Sequence, residues 1–371
     1  MSLHTTDSVT YNQTPVLPSP VFLTASSLVL TIMTSSSTPT TMRAWQYNNF
    51  KSGIDDALRL NPAARVPKPT ANQHLVQILA TALNPVDYKP AETFLNRFIS
   101  KPATPGIDYA GRLITPAAGS KLKPGQLVFG VAGTSAFAGG SLAEYAIVKS
   151  EGALAIPEGV DLTDAATIGV AGITAYQCIV PFVKPGSRVF LNGGSGGTGV
   201  FGIQIAKAKG CFVATACSTA NVDLCRSLGA DAVIDYKKQN VVDALAAMPQ
   251  KFDHVVDNVG DFGIYFRAHE FTKPGAVFME IAGSPTLSFF GNSLRARLQP
   301  RFLGGGQRQL KTMFAQMRIN EFQELVDWMK EGKIKTVIDT RFAFEDAPKA
   351  FTKLKTGRAN GKIVVDVAAQ K

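Results

Sequence analysis

Recognisable metal-binding and redox motifs are missing from this sequence. Its four cysteines, Cys178, Cys211, Cys217 and Cys225, form no C-x-x-C pair and have no histidine at ligand spacing. His4, His74, His254 and His269 are isolated from one another, so no metal site is expected from them. The cysteines read as reduced packing residues of a cytoplasmic protein. The formal net charge is +10, yet no basic run is interleaved with aromatics, so no nucleic-acid partner is expected. Scattered Lys and Arg instead suit an anionic cofactor or substrate. Residues 1–41 contain no Lys or Arg, which excludes the positive n-region of a secretory signal and the arginines of a mitochondrial presequence. Their apolar patch, Val21 to Met33, is broken by Thr and Ser and is too short to span a bilayer. The expectation is a disordered Ser/Thr/Pro-rich extension ahead of a functional start at Met42, with no membrane association.

What is present is enough for two domains, since 371 residues exceed what one core usually supports. From Met42 to about Asp164 short apolar or alternating runs, such as His74–Ala80, Gln126–Gly130 and Ser141–Val148, are broken by Pro and Gly, as in a compact β-barrel-like domain. Beyond Asp164 helices and strands alternate: a helix over 164–180, strand 188–191, helix 200–209, strand 211–217, helix 222–228, strand 232–234, helix 240–247, then strands at 254–257 and 275–283. That order predicts a parallel, doubly wound sheet. The section from about Pro285 contains an irregular Gly-rich segment, Phe302–Gly306, then helix 321–331, an apolar strand, a helix near 347–354 and a closing strand, Gly361–Asp366. This last strand has no partner in the α/β unit and is expected to return to the first domain.

The most informative stretch is Val189–Lys207, where an apolar strand ends in clustered glycines and the glycines end in a helix. Gly194, Gly196 and Gly199 have the G-x-G-x-x-G spacing, with Ser195, Gly197 and Thr198 between them and Gly202 where helix and sheet would pack closely. Backbone N–H groups at such a helix N-terminus, aided by the helix dipole, bind phosphate. Asn258, Gly260 and the segment Ala282–Ser284 follow later strands at their carboxyl ends, where nicotinamide-ribose contacts are expected.

These residues, together with Ala82–Lys89, Pro105–Gly111, Gly172–Tyr176, Ser227–Tyr236 and Gly361–Val364, resemble the medium-chain dehydrogenase/reductase superfamily, within it the zinc-independent quinone oxidoreductase and enoyl reductase branch. The resemblance implies a GroES-like catalytic domain over 42–165, completed by 332–371, beside a Rossmann NADPH-binding domain over 166–331. It implies an active site in the cleft between them, and a homodimer. In zinc-dependent members a Cys, a His followed by Glu, and a second Cys surround the metal. Here those places hold Asn84, Ile107 followed by Asp108, and Gly169–Ala171, and the lobe carrying structural zinc is missing. An amide, an isoleucine and an alanine offer zinc no thiolate or imidazole, so no metal is expected.

The second Rossmann strand is followed by no Asp or Glu until Asp223. A carboxylate about 5 Å from a ribose 2′-phosphate would cost roughly 3 kcal/mol at an effective dielectric of about 20, so its absence permits NADPH. Ser218, Thr219 and Asn221 can hydrogen-bond a phosphate, although a helix-capping role fits the same spacing. The resemblance adds Tyr236, at a position that contacts the 2′-phosphate in NADPH-using relatives. Where many relatives have Lys or Arg, this chain has Ala220 and Val222, and Lys237 or Lys238 could substitute.

Without a Lewis acid, the small-molecule substrate must accept hydride by conjugation, as quinones and α,β-unsaturated carbonyls do. Tyr88 is the first choice for a proton donor, with Asn84 and Lys89 as orienting or electrostatic partners. Structural roles compete: Pro85 marks a turn, Asp87 and Lys89 could pair to hold it, and Asp108 and Tyr109 could shape the cleft. By resemblance, Thr174 lies near the nicotinamide. Phe289, Phe290 and Phe302–Gly306 are candidates to line the cleft. The competing functions are an enoyl reductase acting in trans on carrier-bound substrates and an NADPH-binding sensor with little turnover.

Overall fold

The computed structural model describes residues 38–133, 139–281 and 287–367. Thr41, one residue ahead of Met42, opens the first strand, and residues 1–37 lie outside the described residues. The first lobe contains β1 (Thr41–Gln46), α1 (Ile54–Ala57), β2 (Arg59–Arg65), β3 (Gln73–Leu83), β4 (Asp108–Thr115), β5 (Leu127–Val131), β6 (Tyr145–Lys149) and β7 (Ala153–Ala155). The chain continues through α2 (Leu162–Thr167), α3 (Ile173–Ile179), β8 (Arg188–Asn192), α4 (Gly197–Ala208), β9 (Phe212–Cys217), α5 (Val222–Ser227) and β10 (Ala232–Asp235). It then forms α6 (Val241–Ala246), β11 (Phe252–Asp257), α7 (Phe262–Phe266), β12 (Thr272–Glu280), α8 (Leu287–Leu298) and β13 (Gln309–Thr312). Last come α9 (Ile319–Lys330), β14 (Ile338–Ala343), α10 (Ala347–Lys355) and β15 (Lys362–Asp366).

Six parallel strands run β10-β9-β8-β11-β12-β13, an order that reverses direction between β8 and β11. Ligands bind at the carboxyl ends of strands at such a switch point. β8 is apolar from Val189 to Leu191 because both of its faces are covered there. On one side Phe190 meets Phe252 and Phe271 edge-on, with centroids 6.3 and 6.0 Å away, and on the other Val189 and Leu191 pack beneath α4.

The second sheet runs β14-β15-β3-β4-β5-β7, with β6 also on β3. The closing strand β15 therefore lies between β14, parallel to it, and β3, antiparallel to it, with Ile363 opposite Leu83. Small side chains let the lobes approach: Ala80, Ala82 and Ala110 of this sheet share one core with Ala165 and Ala166 of α2 and with the helices of the parallel sheet.

Two expectations are corrected. The helix over 164–180 is not continuous: a π-helical turn, Ile168–Gly172, separates α2 from α3, and Gly169 there has φ −31° and ψ −108°, outside helical values. Between Pro285 and helix 321–331, where only the irregular segment Phe302–Gly306 is expected, the chain also forms α8 and the sixth strand, β13. β13 is a half-exposed edge strand with one apolar residue, Leu310, so it carries no alternation to read. Leu162–Phe182 is the one helical stretch among the described residues long and apolar enough to cross a membrane, and its apolar window is 78% buried inside the fold.

Candidate active site

The glycine turn owes its shape to several separate constraints. Gly193, which the spacing did not single out, has φ +78°, a left-handed conformation that favours glycine. A Cβ on Gly194 would sit 2.0 Å from Thr215 Oγ1, and one on Gly199 would sit 2.2 Å from the Gly193 carbonyl oxygen. Gly196 differs, because its Cβ position has no neighbour nearer than 3.6 Å, leaving a face a ligand can approach. α4 then starts with no side-chain cap, so its first N–H groups point out of the helix. Gly197, Thr198 and Gly199 form that first turn. This cradle fits a dinucleotide pyrophosphate.

The cradle is braced from both sides. Asn221 Nδ2 donates to Ser195 Oγ at 3.0 Å, and the Ser195 carbonyl accepts the Gly361 N–H at 2.9 Å, forming a bridge between the turn and the start of β15. Ser218 and Asn221 make no side-chain caps, so the capping alternative is not realised. Tyr236 is half-exposed after β10, with the Lys237 ammonium 5.5 Å from its ring centre. Pairing of β9 with β10 sets Asp235 opposite Cys217, beside Ser218 and Thr219, so the structure brings up a carboxylate that reading along one strand did not find. Asp235 accepts the Lys237 N–H at 3.0 Å and lies 3.7 Å from the Lys238 ammonium. Burial acts to raise its pKa, but Thr219, the Lys237 N–H and Lys238 together hold it below the usual range.

At the switch point, Asn192 Nδ2 donates to Asp257 Oδ1 at 2.9 Å, and Asn258 Nδ2 donates to the Asn192 carbonyl at 2.9 Å. Gly260 has φ +87°, and Thr174 is buried on α3. Ala282, Gly283 and Ser284 lie outside the described residues, and nothing is described of the Phe289 and Phe290 side chains. Phe302 is highly exposed.

Glu280 ends β12 with both carboxylate oxygens buried and unpartnered among the described residues. Burial, then the neighbouring Asp257, push its carboxyl up to about 7, with Arg297 opposing. An acid whose folded pKa is raised binds extra protons when folded, so stability falls as pH rises from its ordinary 4.5 through about 7. Glu280→Gln is therefore expected to raise stability at pH 8 by on the order of 1 kcal/mol and to change little at pH 4, as paired thermal melts would show.

The Asn84–Lys89 turn divides its side chains between two environments. Tyr88 packs partly buried against the hydrophobic core of the first lobe, and its phenol is raised by burial and by Glu92, with Lys355 opposing. Glu92 and Lys355, the charges acting on Tyr88, are themselves paired at 2.9 Å. Lys89 is half-buried, and burial lowers its ammonium below the usual lysine range.

Asn84 turns inward. Its N–H donates to Asp87 Oδ2 at 2.7 Å, and its Nδ2 donates to Asp108 Oδ2 at 2.8 Å and to the Ala82 carbonyl at 3.2 Å. Its Oδ1 accepts from Lys362 Nζ at 2.5 Å. The carboxamide is fully used internally, which makes Asn84 a positioning residue rather than a substrate donor. Asp87 is pushed up to about 8 by burial and by Asp108, and its Oδ1 has no hydrogen-bond partner among the described residues. The Asn84–Asp108 set does not fit zinc: the amide and carboxylate are engaged by Lys362, no thiolate or imidazole joins them, and the described residues contain no group of three potential ligands.

Lys362 is the site residue that sequence reasoning missed. A lone lysine opening a strand whose next three residues are fully buried was the available signal, because a buried ammonium requires partners.

A doubly wound sheet with a glycine cradle, sharing its core with a GroES-like sheet, defines a two-lobed nicotinamide-dinucleotide-dependent oxidoreductase. Residues 70–158 match the alcohol dehydrogenase GroES-like domain and residues 228–365 match the zinc-binding dehydrogenase family. The chain is 47% identical over 352 residues to the trans-enoyl reductase pgmF of Aspergillus terreus, covering 90% of this chain and 98% of that protein. It is 33% identical to the 2-methylene-furan-3-one reductase of Solanum lycopersicum, covering 95% of this chain and 86% of that one. The quinone oxidoreductase structure from Coxiella burnetii superimposes with a TM-score of 0.76 at 27% identity, covering 88% of this chain and 99% of that one. The chain belongs to the medium-chain dehydrogenase/reductase superfamily.

Proposed function

We propose that this oxidoreductase uses NADPH to reduce a C=C bond conjugated to a carbonyl, with enoyl groups delivered in trans as the leading substrate class and quinones as the alternative. The observation that carries this reading is the 47% identity to a trans-enoyl reductase over 90% of the chain. The engaged Asn84–Asp108 set supports it, since a substrate activated by its own conjugation needs no metal.

A bound reduced nicotinamide supplies the hydride for the electron-poor carbon. The chain's residues bind and orient. The Gly196–Gly199 turn takes the pyrophosphate, and Asn258 and Gly260, at the strand ends, face the nicotinamide half. Ser218, Asn221 and Tyr236 form the 2′-phosphate end, where Lys237 and Lys238 offset the charge of Asp235. Tyr88 and Lys89, on the turn that follows β3, are the two candidate groups for protonating the developing enolate.

Burial of all four free cysteines supports a reducing compartment. The open outer edge of β13, at the end of the parallel sheet, is the place we assign to homodimer contact. The test is NADPH oxidation against enoyl thioesters, enones, enals and quinones, with NADH in parallel. We expect kcat/KM with NADPH to exceed that with NADH by about tenfold or more, the scale of one good charge interaction. Preference for NADH overturns the cofactor assignment, and absence of turnover on any acceptor overturns the reductase reading.

A further inference from the structure

The place where metal-dependent members of the family hold zinc already contains a cation in this chain. Lys362 is 2% exposed, and its ammonium donates to Asn84 Oδ1 at 2.5 Å, to the Leu83 carbonyl at 3.2 Å and to Asp108 Oδ2 at 3.3 Å. Three N–H bonds thus meet three acceptors. Asp108 is fully buried, and its other oxygen accepts the Val170 N–H of the π turn at 2.6 Å. One ammonium therefore gathers the Asn84 turn, the start of β4 and, through Asp108, the π turn.

The backbone carrying that ammonium is joined to the cofactor cradle. The Gly361 N–H donates to Ser195 O at 2.9 Å, and a Cβ on Gly197 would lie 3.4 Å from Lys362 Cδ. The lysine stem thus passes against the first turn of α4. A Lys in this position desolvates a charge among Ile363, Val364 and Val365, a cost that simple sheet packing does not require. We infer that Lys362 is a positioning residue that replaces the metal as the site's resident cation, cross-linking the Asn84 turn, β4 and the π turn and tying them to the glycine cradle. Part of this inference, its effect on turnover, rests on the proposed reductase activity, whereas the placement of the charge does not.

The experiment compares the full-length wild type with Lys362→Met and with the double variant Lys362→Met/Asp108→Asn. Lys362→Met strands a buried carboxylate, so its Tm should fall by roughly 5–10 °C. The double variant removes both charges and should regain most of that loss. Failure to regain it overturns the placement of the ion pair. In the double variant kcat should stay about tenfold or more below wild type, while the NADPH Kd, followed by cofactor fluorescence, stays within about threefold. Recovery of kcat along with Tm overturns the positioning role, because Lys362 would then only balance Asp108. Equilibrium dialysis of wild type with Zn²⁺ should give no stoichiometric uptake, and one zinc lost on Asp108→Asn overturns the replacement. If wild type reduces no acceptor, the reductase reading and the kinetic role fall together, and melting and dialysis still decide the charge placement.

Discussion

Gly199→Ala is expected to raise the Kd for the dinucleotide by about 10²-fold or more, the scale of loss that a displacement of roughly 1 Å produces in a positioned site. The added methyl would lie 2.2 Å from the Gly193 carbonyl oxygen and 2.7 Å from Gly194 Cα, both backbone atoms, so no side-chain rotation relieves the contact. Either α4 must slide away from β8 or the turn must open. Each movement displaces the N–H groups of Gly197–Gly199 from the phosphate position. Gly202 provides the control, since a methyl there would meet Ile179 and Leu191 side chains at 3.4 Å and lies outside the cradle. Titration followed by cofactor fluorescence should show Gly199→Ala failing to saturate where Gly202→Ala binds nearly as wild type does. Equal affinities in the two variants would mean that the cradle is not the pyrophosphate site.

Gly169→Ala should carry a stability penalty of about 2–4 kcal/mol, or roughly 5–10 °C in Tm. The new methyl would stand 2.1 Å from Asp108 Oδ1, the oxygen that accepts the Val170 N–H. Asp108 cannot swing aside, since Asn84 and Lys362 hold its other oxygen. Differential scanning calorimetry measures the loss. A melting temperature unchanged from wild type would mean that the break between α2 and α3 is not imposed by Asp108.

The physical origin of each element explains how much of it the sequence disclosed. β8 could be read because its centre, Val189–Leu191, is covered on both faces and so is apolar, and the glycine turn because its constraints are local. The break at Gly169 could not, because its cause, the Asp108 carboxylate, comes from another lobe and leaves the apolar pattern of residues 164–180 intact. Asp235 is hidden for a similar reason: it reaches Thr219 across the pairing of β9 with β10, a contact between residues distant along the chain. At the Asn84–Lys89 turn the residue types were visible, but not which side of a short 3-10 turn each leaves from, so Tyr88 drew attention that the buried Asn84 network warranted more. Lys362 stood in a motif used for resemblance, yet its partners lie far upstream.

The bridge from Gly361 to the glycine turn also bears on biosynthesis. The ribosome makes the parallel sheet's first strand and its nucleotide cradle long before it makes β15. Until Gly361–Asp366 emerges, β3 lacks its central neighbour, Asn84 and Asp108 have no ammonium between them, and the Ser195 carbonyl is unmatched. The nascent polypeptide thus holds an unfinished site until the last strand emerges, and premature termination anywhere before β15 yields a protein whose cradle keeps the Asn221 brace and lacks the one from Gly361.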